Sequence, residues 1–385
     1  MPSIIMKIHE LNATEVAQEK LSDFIKDDLK NYAKLRNYDY GPNKRNNVSN
    51  LSQFISHRAI NEYFVIKEVL KSYSLDESEK YIQEIFWRIY WKGWLEHHPA
   101  VWSDFTNYKF TDESLDLISA KEGKTNITCF NSWVEELKEF NYLHNHSRMW
   151  FASIWIFTLG LPWQEGAKFF LEHLKDGDAA SNTLGWRWVA GLQTKGKNYL
   201  AKSWNISKFT NDRFNDKNLN EDAEPLIETT HYEVKNLNFL HNSKKVYNNL
   251  LIFDNELSLL TNQKLFKDYE NISIVSLENK NRKIPLSPNI INFKEELIFS
   301  YKGNTNDFKI LSSEDLIKEE IAIKKYDVVY PCIGENLDFL NGLTNTKKVE
   351  LNIRARKQDL YAWQYTKKGF FYLKNNINNV IEYIL

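Results

Sequence analysis

Cysteine is almost missing from this chain: Cys129 and Cys332 are the two among 385 residues. That excludes a disulfide-stapled scaffold and an iron–sulfur cluster held by four thiolates. Charge of one sign is missing too. With 50 Lys+Arg against 51 Asp+Glu, the formal net charge of −1 gives no overall field to select a partner. No charge-free apolar run approaches the roughly 18 residues of a membrane span. Lys7, Glu10, Glu15, Glu19 and Lys20 interrupt the first thirty residues, so no secretory core is expected there. A soluble protein of a reducing, cytoplasmic compartment is expected, with no membrane partner. Neither GxGxxG nor GxxxxGK[ST] occurs, so both phosphate-cradling fingerprints are absent. A GxSxG elbow, an HExxH pair and an internal repeat are likewise lacking.

What the chain has instead is aromatic: 12 Trp, 20 Tyr and 23 Phe. Eleven of the 12 tryptophans lie between Trp87 and Trp204. The first part reads as helices, from apolar 3.6-type spacing in HRAINEYFVIKEVLKSY, ESEKYIQEIFWRIYWKGWLEHH, NSWVEELKEFNYLHNHSRMWFASIWIFTLG and PWQEGAKFFLEHLKDG. Gly160 and Pro162 mark a stop and a restart between two of them. Around 210–250 the text turns polar and acidic, and the domain boundary is placed there, giving units 1–235 and 236–385. The second unit alternates β-rich runs (VYNNLLIFD, NISIVSL, YDVVYP, GFFYL) with helix-like ones (SSEDLIKEEIAIKK, ENLDFLNGL), the pattern of a small α/β layer.

Three runs carry chemistry. On a helix, Glu84, Trp87, Arg88 and Trp91 share one stripe. It reads either as an aromatic core stripe with an ion pair, or as a flat platform with a carboxylate and a guanidinium beside it, suited to a heteroaromatic ring. The run 176–188 sets Asp176 and Asp178 around Gly177 and follows with Ser181, Asn182 and Thr183. Trp186 and Trp188, two apart, cannot share a helix face. Beyond them Arg187, Lys195, Lys197, Lys202, Lys208 and Arg213 face Asp212 alone, either a solvated charge face or a rim that touches phosphates. The third run, Leu143–Trp150, contains His144 and His146 without a third nearby ligand; polar packing is the better reading, and no metal is expected.

WRIYWKGW, HNHSRMW and above all DGDAASNTLGWRWVAGLQTKGKNYLA resemble the FAD-binding helical domain of the DNA photolyase/cryptochrome family, over about residues 15–215. The resemblance implies a mainly α, photolyase-type helical FAD-binding domain followed by a small α/β C-terminal domain. It implies FAD, with FADH⁻ as the active form, and electron transfer in light to a pyrimidine dimer flipped out of DNA. Around the flavin it implies Tyr32, the phosphate-holding loop Val48-Ser49-Asn50-Leu51-Ser52, Arg88, Arg148 paired with Asp176, Gly177, Asp178, and Asn182 at flavin N5. Val48 stands where the family usually has Thr, which removes one hydroxyl contact.

On the substrate side the resemblance implies Glu84 at the lesion's thymine edge, Trp87 and Trp188 as pocket walls with Trp91 beside them, and Arg36 on a phosphate. Arg187, Lys195 and Lys197 would join a DNA-binding rim. Asn145 and Met149 stand where (6-4)-photolyases place histidines, which favours cyclobutane dimers, whose splitting needs only an electron. For photoreduction, Trp186 and Trp163 match the inner two of three tryptophans. The outer position falls near Phe110, with Trp102 or Trp155 as possible substitutes. The family's usual α/β antenna domain precedes the flavin domain, whereas here the small α/β unit follows it. Its expected work is to cover one side of the helices, with Trp363 and GFFYL as anchors; no antenna chromophore is expected. The expected function is therefore repair of cyclobutane pyrimidine dimers by a monomeric light-driven lyase. A cryptochrome-like photoreceptor is the rival, and the ordered-looking NNVIEYIL segment in place of a disordered tail counts against it.

Overall fold

The computed structural model of the chain describes residues 11–110, 114–241, 244–302, 307–318, 324–345 and 349–385. Helices come first: α1 (Ala13–Asp27), α2 (Leu29–Leu35), α3 (Ser52–Ser56), α4 (Glu62–Leu70), α5 (Leu75–His97), α6 (Pro99–Asn107), α7 (Leu115–Glu122), α8 (Thr128–Phe140), α9 (Asn145–Ser153), α10 (Trp163–His173), α11 (Ala179–Val189) and α12 (Ser203–Phe209). Asn12 and Ser74 open α1 and α5 with reciprocal capping boxes to Glu15 and Glu77, which satisfies otherwise orphaned donors at each start. A π-helical stretch, Ile154–Thr158, prolongs α9. Gly160, at φ +66°, ends it in the left-handed conformation that a side chain resists, and α10 restarts after Pro162. Among the described residues no helix is long and apolar enough to cross a membrane.

The second unit is a five-stranded, all-parallel sheet. Its strands are β1 (Asn249–Phe253), β2 (Asn271–Ser276), β3 (Lys309–Ser312), β4 (Lys324–Val329) and β5 (Val349–Arg354), in the order β3-β2-β1-β4-β5. Helices α13 (Gln263–Asp268), α14 (Pro288–Phe299), α15 (Ser313–Lys318) and α16 (Glu335–Asn345) connect them. Parallel strands are covered on both faces, so their sequences are continuously apolar. In β1 and β2 the alternation is between two cores. Leu250, Ile252, Ile272 and Ile274 join the core shared with the helical unit, while Leu251, Phe253 and Val275 join a separate one on the far face.

Three further helices, α17 (Lys357–Trp363), α18 (Phe370–Lys374) and α19 (Ile377–Ile384), leave the sheet and pack back on α4 and α5. Their buried Trp363, Phe370, Leu373 and Val380 belong to the same core as Ile85, Phe86 and Ile89 of α5. The contact at Gly93 is tight: a Cβ there would lie 2.3 Å from Trp363 Cδ1 and 2.4 Å from Thr366 Oγ1. A buried ion network reinforces the seam. Arg58 donates to Glu256 at 2.6 Å and to Asp359 at 2.9 Å, Tyr63 donates to Asp359 at 3.0 Å, and Arg356 pairs with Glu256.

Two sequence expectations are corrected. GFFYL is the helix α18 and not a strand, with Phe370 and Leu373 buried one turn apart. β3 and β5 are strands that the reading of the second unit passed over; β3 is four residues long and begins and ends polar.

Candidate functional site

Between α2, α5, α9 and α11 the helices leave a cavity of about 650 Å³, within the usual range for a small-molecule site. Helix α5 supplies one wall. Its stripe of Glu84, Trp87, Arg88 and Trp91 lines the space, with Trp87 and Trp91 also packed against the core behind it. From α2 come Tyr32 and, just past its end, Arg36; from α9 Asn145, Arg148 and Met149; from α11 Ser181, Asn182, Trp186 and Trp188. The loop Val48-Ser49-Asn50-Leu51-Ser52 and the turn Asp176-Gly177-Asp178 complete the enclosure. Every residue expected around the flavin therefore lines this one cavity, together with Glu84, Asn145, Met149, Arg36, Trp87, Trp91, Trp188 and Trp186.

The loop is shaped by Asn50, whose φ of +53° is tolerated by an Asn better than by most side chains. Its amide holds the turn by donating to the carbonyls of Arg45 (2.8 Å) and Val48 (3.2 Å). The loop then enters α3, whose first N–H groups lack intrahelical acceptors. Opposite it, Arg148 donates to Asp176 Oδ2 at 2.9 Å, and Arg88 donates to Ser56 Oγ at 2.7 Å, which in turn donates to the Asp176 carbonyl. Burial, the largest single effect, would raise the Asp176 carboxyl; the charge and hydrogen bond of Arg148, with Ser52 and Arg88, together outweigh it and hold the group below its ordinary range. Asp178 is held low against burial by Lys92 and Arg88, and it also caps α11 by accepting from Ser181 N at 2.8 Å. Two ionised carboxylates and two guanidiniums thus share the floor.

Glu84 differs. Burial raises its carboxyl above the ordinary value, and Arg36, donating at 2.6 Å, offsets that only in part. Asn182 donates one of its two amide N–H groups to the Ala167 carbonyl at 2.9 Å, which leaves the second N–H and the side-chain oxygen for the cavity. Trp87 stacks on Phe370 of α18 with centroids 3.6 Å apart and planes at 9°, so that one face of its ring is covered. Trp188 stacks on Tyr199 at 5.7 Å.

The donor set suits FAD. Guanidiniums, the Ser49 and Ser52 hydroxyls and helix-start N–H groups favour a pyrophosphate, while Ile55, Ile85, Ala152, Phe170 and Val189 offer apolar walls to a ring system. Arg88 Nε, His144 Nε2 and Trp186 Nε1, on three lining residues, are buried without a hydrogen-bond partner. Such orphaned donors are rare unless a ligand or water completes them.

Four residues from the sequence reading lie elsewhere. Arg187 is a correction: it is buried, pairs with both carboxylate oxygens of Glu228 at 2.7 and 2.6 Å, and sits over the rings of Trp163 and Tyr232. It cannot form part of an exposed rim. Lys195 and Lys197 are exposed on the turn after α11, outside the cavity. Trp163 is buried against Phe105 at 5.5 Å, while Trp186 meets Trp155 at 6.2 Å. The sequence reading missed Tyr81, Tyr142 and Phe170 in the lining, and the buried Lys92, which bridges Glu62 (3.1 Å) and Asp178 (3.8 Å). Extending the Glu84 stripe by one turn each way would have found Tyr81 and Lys92. His144 and His146 make packing contacts: His144 accepts from His146 N at 3.2 Å, and His146 bridges the Asn37 carbonyl and the Tyr199 hydroxyl, each at 3.0 Å. A second cavity of about 100 Å³ lies between the units at the carboxyl ends of β1 and β4, beside Arg58, Asp254 and Cys332.

A family model described as the FAD binding domain of DNA photolyase matches residues 81–220. The deoxyribodipyrimidine photo-lyase of Buchnera aphidicola subsp. Baizongia pistaciae is 28% identical over 197 residues, covering 48% of this chain and 40% of that protein. That of Streptomyces griseus is 34% identical over 119 residues, 30% of this chain and 26% of that protein. The matches therefore span less than half the length of these relatives. Among solved structures, a bacterial class III photolyase from Agrobacterium tumefaciens superposes with a TM-score of 0.45 at 27% identity, over 52% of this chain and 43% of that one.

Proposed function

From the match of residues 81–220 to the FAD binding domain of DNA photolyase, we propose that this chain belongs to the DNA photolyase/cryptochrome family and that it repairs cyclobutane pyrimidine dimers in DNA in a light-dependent reaction. The observation that carries this reading is the convergence of Glu84, Asn145, Met149 and Trp188 on the same cavity as Arg88, Arg148, Asp176, Asp178 and Asn182. FAD, when bound in its reduced form, would supply the light-driven electron that splits the cyclobutane ring, with no net redox change. The chain's own residues hold and orient. Ser49, Ser52 and the loop N–H groups would hold the pyrophosphate, and the Arg148–Asp176 pair fixes the floor. The Asn182 side-chain oxygen would accept a hydrogen bond from a protonated ring nitrogen. Glu84 and Asn145 hydrogen-bond the thymine edge, while Met149 and Trp188 line the lesion with apolar surface that excludes water. Neither Asn145 nor Met149 can transfer a proton at neutral pH, which suits a ring-splitting that needs none. Arg36, Lys195 and Lys197 take the DNA backbone.

The test is repair of a defined cyclobutane thymine dimer in an oligonucleotide by purified, chemically reduced protein, with a dark control. Repair in light alone is expected. No repair with FAD bound and reduced overturns the proposal in favour of a photoreceptor.

A further inference from the structure

The face built by α17–α19 has no role in the chemistry above, yet it adjoins the cavity directly. Phe370 stacks on the cavity-lining Trp87 at 3.6 Å and meets Tyr90 edge-on at 5.6 Å. The next residue, Phe371, is 76% exposed, and Tyr372 and Tyr383 are 44% and 45% exposed. Tyr372 and Tyr383 belong to one series of rings, with Phe371 beside Tyr372 in the chain. Tyr372 adjoins Tyr365 at 6.1 Å, Tyr365 adjoins Tyr361 at 6.0 Å, and Tyr361 lies flat on Tyr383 at 3.9 Å with planes 3° apart. Three lysines flank them, Lys357, Lys367 and Lys368, all exposed, against one exposed carboxylate, Glu382; Lys367 donates to Asn236 at 3.1 Å, and Lys368 lies 5.8 Å from the centroid of Tyr372.

Exposed rings in series between lysines suit one ligand chemistry above others. Unpaired bases stack on such rings without regard to sequence, and lysines track the phosphates between them. Duplex DNA presents its bases already stacked and offers these rings nothing. We propose that the α17–α19 face is a stacking platform for the unpaired DNA strand beside the cavity, and that the substrate is accordingly single-stranded or locally melted DNA. The proposal rests on the repair reading for the identity of the ligand, and on the Phe370–Trp87 stack for the continuity between platform and pocket.

The double variant Phe371→Ala/Tyr372→Ala changes two exposed rings and no residue of the cavity. In the dark, fluorescence anisotropy should show its affinity for a single-stranded oligonucleotide carrying one thymine dimer falling on the order of tenfold. Affinity for the matching duplex should change little, and light-driven splitting of the isolated dimer dinucleotide should be unchanged. The pair Lys367→Ala/Lys368→Ala should flatten the salt dependence of single-strand binding by about 0.7 per lysine. Unaltered single-strand affinity overturns the proposal. So does impaired splitting of the dinucleotide, which would make the face a prop for the pocket. A wild-type dimer in sedimentation that the ring variant dissociates also overturns it, by making this a self-association face. If the ring variant loses single-strand affinity while the wild type splits no dimer in light, the platform stands and the repair reading falls.

Discussion

Arg36 donates to Glu84 at 2.6 Å, with both side chains about one-third exposed where the cavity meets solvent. The two residues expected to meet different parts of a lesion, its phosphate and its base edge, satisfy each other in its absence. On the proposed repair reading, lesion binding would be an exchange of partners: a phosphate would replace the Glu84 carboxylate at Arg36, and a thymine edge would take the carboxyl.

Removing Arg36 should shift a titration. Burial already raises the Glu84 carboxyl and the guanidinium lowers it. In Arg36→Ala the opposing charge is gone, so the carboxyl protonates at a still higher pH. The pH midpoint of lesion affinity should move upward, and the salt slope should shrink by about one for the lost phosphate contact. A midpoint that stays or falls means Glu84 is not the titrating group. Glu84→Ala, by contrast, should lower repair yield with flavin retained; loss of flavin in step would mean its role is misassigned.

Arg187→Ala should leave DNA binding and its salt slope alone and weaken the fold instead. The substitution strands Glu228, which remains partly solvated, so a loss of about 1–3 kcal/mol is expected. Urea unfolding reads the stability and anisotropy at several salt concentrations reads the DNA contact. A reduced slope without a stability change would restore Arg187 to the rim.

Gly93→Ala places a methyl 2.3 Å from Trp363 Cδ1. Overpacking of this kind typically costs about 1–3 kcal/mol, and here it should fall on the seam between α5 and α17. Limited proteolysis should cut within 357–384 faster than in the parent protein. Unchanged cleavage would show that the seam yields without opening.

Glu96 tests the junction by pH. Its buried carboxyl accepts from Tyr330 at 2.6 Å and from Ile333 N at 2.8 Å, and burial pushes it up to about 7. The folded state thus holds a proton that the unfolded chain releases near its ordinary value of 4.5. Stability from this group is full at acid pH and declines as pH rises through that window, because ν for the folded state exceeds that for the unfolded. Glu96→Gln keeps an acceptor, removes the ionisation, and should stabilise the protein at pH 8 relative to pH 5. Parallel pH–stability curves for the two proteins would rule this out.

The site was legible because its residues sit in short, chemically dense runs. Asn182 and the Glu84 stripe fall together once their segments are helical, and the turn Asp176-Gly177-Asp178 leads directly into the helix of Asn182. Misreadings arose where a distant partner decides. Arg187 looks like one member of a basic run until Glu228, far along the chain, claims it. GFFYL carries strand-loving aromatics, yet burial of Phe370 and Leu373 on one side requires a helical turn. Four-residue β3 has too few alternations to announce itself, and only pairing with β2 defines it. The three-ring contact of Phe370 with Trp87 and Tyr90 joins segments that no local pattern connects.

The seam also sets an order of assembly. A ribosome produces α5 long before α17–α19, and at about 5–20 residues per second the interval is some tens of seconds. Throughout it the Gly93 face, Trp87 and Tyr90 of the nascent chain lie open, and the helical unit waits half-covered while the whole parallel sheet is made. Helices α17–α19 then close over a partner that has been exposed since early in synthesis. A halt before Lys357 would release a chain whose central helix still shows its apolar side.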